Sequence, residues 1–235
     1  MSKPAKHSYR LNGEAFARSL HLSQKFGVVY VNNPKAACST IKLTLQRAEL
    51  QQPDYMPETS VHDHEVSPLL TGLNILGHER QHLDGKFVFS FVRNPFERLK
   101  SVYVNKIVRP QKKGSFRVQA GFPADCCPSF EDFVRAVCNQ PTAKQNAHWR
   151  LQTMNLSVGG LRFDFVGKVE SFSRDWQELS TLTGLPAEAH FAGKRSDSSI
   201  KDTLEFFPDL ISAVRESYAP DFERFGYATH PAKTF

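Results

Sequence analysis

Phe26-Gly-Val-Val-Tyr-Val-Asn32 runs straight into Asn33-Pro34-Lys35-Ala36-Ala37-Cys38-Ser39-Thr40. The first segment is short and rich in β-branched and aromatic residues, which suits a buried strand. The second is a turn of small and polar residues. From Ser39 to Leu50 the apolar Ile41, Leu45 and Ala48 are spaced four and three apart, the face of a helix. The stretch therefore predicts strand, turn and helix in series, the unit from which parallel sheets are built.

The unit recurs downstream. Lys86-Phe-Val-Phe-Ser-Phe-Val92 reads as a strand, followed by Arg93 and a helix from Pro95. Asn94 is a helix cap, Pro95 fits the first helical position and Glu97 lies three after the cap. Leu99, Val102 and Tyr103 supply the buried stripe. A third unit places a strand at Phe163–Val166 and a helix from about Ser173 to Gly184. Ser129 opens a further helix through Cys138, and a last one covers 208–225. The alternation predicts an α/β fold around a mostly parallel sheet. We expect a single domain over 1–235, with 1–24 as an N-terminal extension and the core at 25–228. Sheets of this kind bind ligands beyond the carboxyl ends of their strands. The first two units place polar turns at such ends.

Composition excludes several alternatives. Of 235 residues, 40% are hydrophobic, 11% aromatic and 23% charged, which argues against disorder, collagen-like repeats and coiled coils. Apolar runs stop far short of the roughly 20 residues a membrane helix requires, so no transmembrane segment is expected. Met1–Arg10 lacks the apolar core of a signal peptide. A net charge of +6 favours anionic partners without choosing among them. The cluster Arg109, Lys112, Lys113, Arg117 reads as a solvated loop. Four cysteines show neither C-x-x-C spacing nor a Cys/His cluster, so no metal is expected. Four thiols without a leader fit a reducing cytoplasm. A Cys126–Cys138 pair belongs to the alternative of a soluble luminal fragment.

Two constellations carry chemistry. At Asn33–Lys42, backbone N–H groups at a helix N-terminus can approach an anion. Ser39 and Thr40 add hydroxyl donors and Lys35 a cation. This is no Walker A loop, since no glycine lies between Gly27 and Gly72. In Arg93-Asn-Pro-Phe-Glu-Arg98-Leu-Lys-Ser101-Val-Tyr103, Arg93 stands at a strand end. Arg98, Ser101 and Asn105 share one helix face, a guanidinium and a hydroxyl placed to clamp a phosphate.

Taken together, these two motifs resemble those of the Golgi-type carbohydrate sulfotransferases and their bacterial relatives. Three more segments extend the resemblance: Asn146-Ala-His148-Trp149-Arg150-Leu-Gln152, Phe163-Asp-Phe-Val-Gly167-Lys-Val-Glu170 and Tyr218-Ala-Pro-Asp221-Phe222-Glu-Arg-Phe225-Gly226-Tyr227. The resemblance spans about residues 26 to 227. It implies a P-loop-like three-layer α/β/α fold. It also implies transfer of a sulfuryl group from 3′-phosphoadenosine-5′-phosphosulfate (PAPS) to a carbohydrate hydroxyl, on a glycan or glycolipid, without a metal.

Residue by residue, the resemblance gives Lys35 the bridging oxygen of the donor. It gives Ala37, Cys38, Ser39 and Thr40 the 5′-phosphate, and Arg93 and Ser101 the 3′-phosphate. Ala37 stands where many relatives have glycine, which implies a more distant backbone or a right-handed conformation there. Val61-His62-Asp63-His64 resembles a His-x-His segment of heparan sulfate 2-O-sulfotransferase, whose second histidine is the base. His64 is therefore the first choice for the base, ahead of His62, with His148 as a rival placed in the acceptor site. His78 and His82 read as surface residues. The extra cysteines and membrane anchor of the Golgi members are missing, which points to a bacterial-type cytoplasmic protein. Two other readings compete. A P-loop-like kinase lacks its Walker A loop and magnesium aspartate here. A nucleic-acid-binding module lacks any RNP, KH or helix-turn-helix pattern, so no nucleic-acid partner is expected.

Overall fold

The computed structural model describes residues 17–75, 79–109, 114–158, 160–191, 200–201 and 203–231. Two strands, β1 (Leu20–Ser23) and β2 (Val28–Val31), precede the helix α1 (Cys38–Leu50). Then come β3 (Leu70–Thr71), α2 (Glu79–Leu83), β4 (Phe87–Val92) and α3 (Pro95–Val102), which widens into a π-helical turn at Tyr103–Val108. The chain continues through α4 (Ser115–Ala120), α5 (Phe130–Asn139), α6 (Gln152–Asn155), β5 (Phe165–Lys168) and α7 (Phe172–Thr183). It closes with α8 (Pro208–Ser217) and α9 (Ala219–Phe225).

The sheet order is β3-β1-β2-β4-β5. β2, β4 and β5 pair in parallel, while β1 pairs antiparallel with both β2 and β3. Four strands therefore share one direction and β1 alone opposes them. This is the mostly parallel sheet expected of alternating strands and helices, and it sets the carboxyl ends of β2 and β4 side by side.

Three expected boundaries move. Leu20–Ser23 lies in the stretch read as an N-terminal extension, yet it is a fully buried strand between β2 and β3. A four-residue run containing His21 and Ser23 carries little hydrophobic signal, and its antiparallel partners supply the stability. β5 starts two residues later than the predicted Phe163–Val166. The Asp164 carboxylate accepts from the Val88 N–H at 2.8 Å, and the Asp164 N–H donates to the Val88 carbonyl at 2.8 Å. The predicted helix over 208–225 breaks at Tyr218, because Pro220 starts a new helix in its first turn.

The helix ends follow the sequence signals. The Asn94 side chain accepts from the Phe96 N–H, and Ser129 accepts from the Asp132 N–H. Gly184 ends α7 in the left-handed conformation, φ 73°. One face of the sheet, with Val28, Tyr30, Phe89 and Phe91, packs on α1 and α7 through Ile41, Leu45, Trp176 and Leu179. The other face, with Leu22, Val29, Val31, Val88 and Val92, packs on Ile75, Leu156 and Val158. Gly167 matters here: a Cβ on it would stand 2.4 Å from the Phe91 ring, so any side chain would force β5 off β4. A separate helical core joins Phe96, Leu99, Val102, Phe133, Trp149, Val214 and Tyr218. It holds α3 against α5 and α8.

All four cysteines are free thiols, so Cys126 and Cys138 are not bridged. Of the basic cluster read as a solvated loop, Arg117 is buried. Its guanidinium donates to the Ile107 and Ala124 carbonyls at 2.9 and 3.2 Å. Lys112 and Lys113 lie outside the described residues, as does His78. His82 is half-buried.

Candidate active site

The turn after β2 takes an unusual backbone. Lys35 and Ala37 both adopt positive φ, 71° and 58°. Non-glycine residues rarely do so, and such strain collects at functional sites. Ala37 is thus left-handed, φ 58° and ψ 19°, and the right-handed geometry expected for alanine does not occur. Its Cβ tolerates the region at a modest cost, and the turn keeps the shape a glycine would give it. Ala37 is also the cap residue of α1, yet among the described residues no side chain caps this end and no acidic residue lies in the first turn. The amides of Cys38, Ser39 and Thr40 open the helix, so its positive dipole end is presented uncapped.

Cations crowd this end. Lys35 is half-buried. Burial first, then Lys106, Arg93 and Lys201, pull its pKa down to about 8, with Cys38 partly opposing. Lys42, in the second turn of α1, is 2% exposed, and burial lowers it to about 8 as well. Bare amides beside Lys35, itself repelled by Lys106, Arg93 and Lys201, form a site that an anion would relax.

The neighbouring strand end carries Arg93. Its main chain is clamped on both sides by Gln152, whose Oε1 accepts from the Arg93 N–H at 2.9 Å and whose Nε2 donates to the Arg93 carbonyl at 2.7 Å. The same Oε1 accepts from Asn33 at 2.9 Å, and Asn33 also donates to the Phe91 carbonyl at 3.0 Å. Asn33 and Gln152 are wholly buried. This network locks the ends of β2 and β4 to each other. Asp221 in α9 anchors it by accepting from the N–H groups of Gln152 and Thr153 at 2.8 Å. Sequence inspection missed the role of Gln152 and Asn33, because buried amides pairing across 119 positions leave no local pattern.

The Arg93 side chain lies 3.7 Å from Glu97. Its Nε is buried without a hydrogen-bond partner among the described residues. Burial pulls the guanidinium's pKa down, while Glu97 and Glu170 oppose that. Ser101, on α3, is 4% exposed. Arg98 does not share its role. The guanidinium is buried and donates to three backbone carbonyls, so the clamp of Arg98, Ser101 and Asn105 expected from helix spacing does not form. Asn105 likewise turns inward, donating to the Ser101 carbonyl at 2.9 Å across the π-helical turn.

The histidines divide differently from expectation. His62 Nε2 lies 2.8 Å from Ser39 Oγ and its Nδ1 lies 3.3 Å from Lys42 Nζ. His64, the first-choice base, instead stacks on His21 of β1 at 5.2 Å. Its Nδ1 is buried with no partner among the described residues. The structure therefore brings His62, not His64, against the turn. His62 is exposed, yet the protein on one side of its ring, then Lys42, Lys106 and Lys35, lower its pKa, to about 3. His148 is lowered to about 3 by burial, then Lys106, Lys35 and Arg98. It hydrogen-bonds Asn146 Oδ1 at 2.7 Å and meets the Phe116 ring edge-on at 5.0 Å. Lys106, from the π-helical turn, sits 4.7 Å over that same ring. Lys106 was not singled out in the sequence; a π-helical insertion leaves no spacing signature.

Among the described residues no group of three or more His, Cys, Asp or Glu is placed to hold a metal. No helix among them is long and apolar enough to cross a membrane. A cleft of about 680 Å³ lies on α8 and α9, lined by Arg215, Phe222, Glu223 and Tyr227 among others. It borders the Arg93 side of the site through Tyr227, whose hydroxyl bonds Glu170, but no residue of the Lys35 turn lines it.

An uncapped helix end flanked by lysines, beside a second strand end where Arg93 Nε has no hydrogen-bond partner among the described residues, offers two places for anions, as a transferase with an anionic donor requires. The model of the sulfotransferase family matches residues 18–228, and the chain belongs to that family. It is 26% identical over 242 residues to carbohydrate sulfotransferase 11 of Rattus norvegicus, covering 90% of this chain and 67% of the relative. It is 28% identical over 230 residues to carbohydrate sulfotransferase 14 of Homo sapiens, covering 89% and 60%. For carbohydrate sulfotransferase 12 of Mus musculus the identity is 26% over 251 residues, covering 88% and 59%. The chain thus spans about two thirds or less of these relatives' length. No solved structure gives a significant match. Family membership decides against the kinase and nucleic-acid readings.

Proposed function

We propose that this chain transfers a sulfuryl group from PAPS to a hydroxyl of a carbohydrate, on a glycan or glycolipid. The observation that carries this reading is the pairing of two anion sites at adjacent strand ends. One is the uncapped, lysine-ringed start of α1. The other is Arg93, whose buried Nε lacks a partner among the described residues, and Ser101. PAPS carries a 5′-phosphosulfate and a 3′-phosphate, one anion for each site. The named carbohydrate sulfotransferases supply the acceptor class. Cover on both faces of the sheet, by α1 and α7 on one and by Leu83 of α2, Phe225 of α9 and loop residues on the other, supports reading the fold as P-loop-like and three-layered, and four free thiols support a reducing, cytoplasmic setting.

In this reading the amides of Cys38, Ser39 and Thr40 and the Ser39 and Thr40 hydroxyls hold the 5′-phosphate. The acceptor oxygen forms a bond to sulfur as the bond from sulfur to the bridging oxygen breaks. Negative charge then builds on the bridging oxygen. The Lys35 ammonium stabilises it there more than in the ground state, which is what lowers a barrier. The acceptor's proton goes to His62. Lys42 can only donate, so Nδ1 of His62 holds a lone pair toward it and Nε2–H faces Ser39. The anionic donor competes for the Lys42 ammonium, which frees Nδ1 to accept. Negative charge nearby also raises the imidazole pKa from about 3 toward the range of a working base.

The test is direct. The protein is heated with 3′,5′-adenosine bisphosphate, then incubated with radiolabelled PAPS and a panel of glycans. Thermal stabilisation and label in a glycan are expected. Stabilisation by ATP with magnesium alone, and no labelled glycan, would sink the proposal.

A further inference from the structure

Resting on the donor-site reading above, we infer that Arg98 is a positioning residue that sets the Lys35 turn against the His148 segment. Its side chain leaves α3 and is 1% exposed. Nε donates to the Pro34 carbonyl at 3.1 Å. The two terminal nitrogens donate to the carbonyls of Arg150 and Ala147, both at 2.7 Å. Pro34 directly precedes Lys35, and residues 147 and 150 bracket His148.

One guanidinium therefore joins three segments that the chain keeps far apart: the helix of Ser101 that follows Arg93, the turn of Lys35, and the loop of His148. The Pro34 carbonyl belongs to the planar peptide that enters Lys35, so holding it sets the orientation of a residue kept at φ 71°. Asn155 shares the task on the other side, donating to the Ala147 carbonyl at 2.9 Å and to Asn33 Oδ1 at 3.1 Å. The planar fork is what makes this possible. A lysine at this position is a single point donor and cannot span three carbonyls in fixed directions. Arg98 touches no reacting atom; it acts through the turn.

The experiment separates the two phosphate sites of the nucleotide. Arg98→Lys is titrated with adenosine 3′-monophosphate and with 3′,5′-adenosine bisphosphate, beside the wild type. Loss of the fixed turn is expected to weaken the bisphosphate about tenfold or more, the scale of a charge-assisted hydrogen bond. The 3′-monophosphate should stay within about twofold, because Arg93 and Ser101 are untouched. Arg98→Ala should regain bisphosphate affinity in millimolar methylguanidinium, which refills the fork. Equal loss for both ligands, no loss, or no rescue would overturn the inference. So would a chain that stays unfolded in both variants with methylguanidinium present, since Arg98 would then be a folding residue. Failure of the wild type to bind either nucleotide is a different result: it ends the donor-site reading, and this inference with it.

Discussion

His62 Nε2 and Ser39 Oγ stand 2.8 Å apart although 23 positions separate them in the chain. The contact joins a loop histidine to the hydroxyl assigned to the donor phosphate. With Lys42 on the other ring nitrogen, it holds His62 at the turn where the proposed donor would place the transferred group.

His62→Ala should therefore bind 3′,5′-adenosine bisphosphate and lose about 10²–10⁴-fold in sulfate transfer, the usual contribution of a positioned base. His64→Ala should retain most transfer and lose stability, because its ring is stacked on His21. Near-normal transfer by His62→Ala, with a folded but inactive His64→Ala or His148→Ala, would reassign the base to that residue.

Arg93→Ala should weaken 3′,5′-adenosine bisphosphate by about 1.5–3 kcal/mol, and Ser101→Ala by less, about 0.5–1.5 kcal/mol. Neither should alter binding of adenosine 5′-monophosphate, which has nothing to offer that site. Calorimetric titration of both ligands checks this; unchanged bisphosphate affinity in both variants would remove the 3′-phosphate assignment.

Lys35→Ala should depress turnover more than nucleotide affinity, because its charge counts most as the bridging oxygen gains charge. pH gives a second view. Lys35 and Lys42 lose their protons near pH 8 in the free protein, and an anion raises both pKa values again. Above pH 8 binding must then take up protons, so affinity should fall as pH rises, up to about tenfold per unit for each lysine. In Lys35→Ala the slope should be shallower. Binding heats in buffers of different ionisation enthalpy measure the proton uptake.

His148 gives the stability of the free protein its own pH dependence. Burial keeps it neutral in the fold down to about pH 3, whereas the unfolded chain protonates it near pH 6.5. Between those values the unfolded state binds more protons, so His148 should make stability fall as pH drops from about 6.5 toward 3. Thermal melts of wild type and His148→Ala across pH 4–7 test the sign; the variant should show the weaker dependence.

Ala37→Gly should leave the turn in place and relieve its left-handed strain, raising stability by up to about 1 kcal/mol. A clear loss in melting temperature would mean that the Ala37 methyl packs better than the strain costs.

The amino-acid sequence alone determined the repeated strand–turn–helix units and several of their ends. Asn94, Ser129 and Gly184 act within a few residues of themselves, so their caps were legible as local patterns. It also placed Lys35 and Arg93 just beyond strand ends, and Ser39, Thr40 and Ser101 on the helices that follow, since a parallel sheet gathers those ends on one side. Only the tertiary structure decided what crosses the chain. It drew β1 out of the presumed extension, because a four-residue strand is stable only against its partners. It turned Arg98 from the expected phosphate clamp into a buried brace, since helix spacing says which residues share a face but not what packs against it. It also put His62 rather than His64 at Ser39: two histidines two positions apart look alike in sequence, and only the path of the loop over α1 distinguishes them.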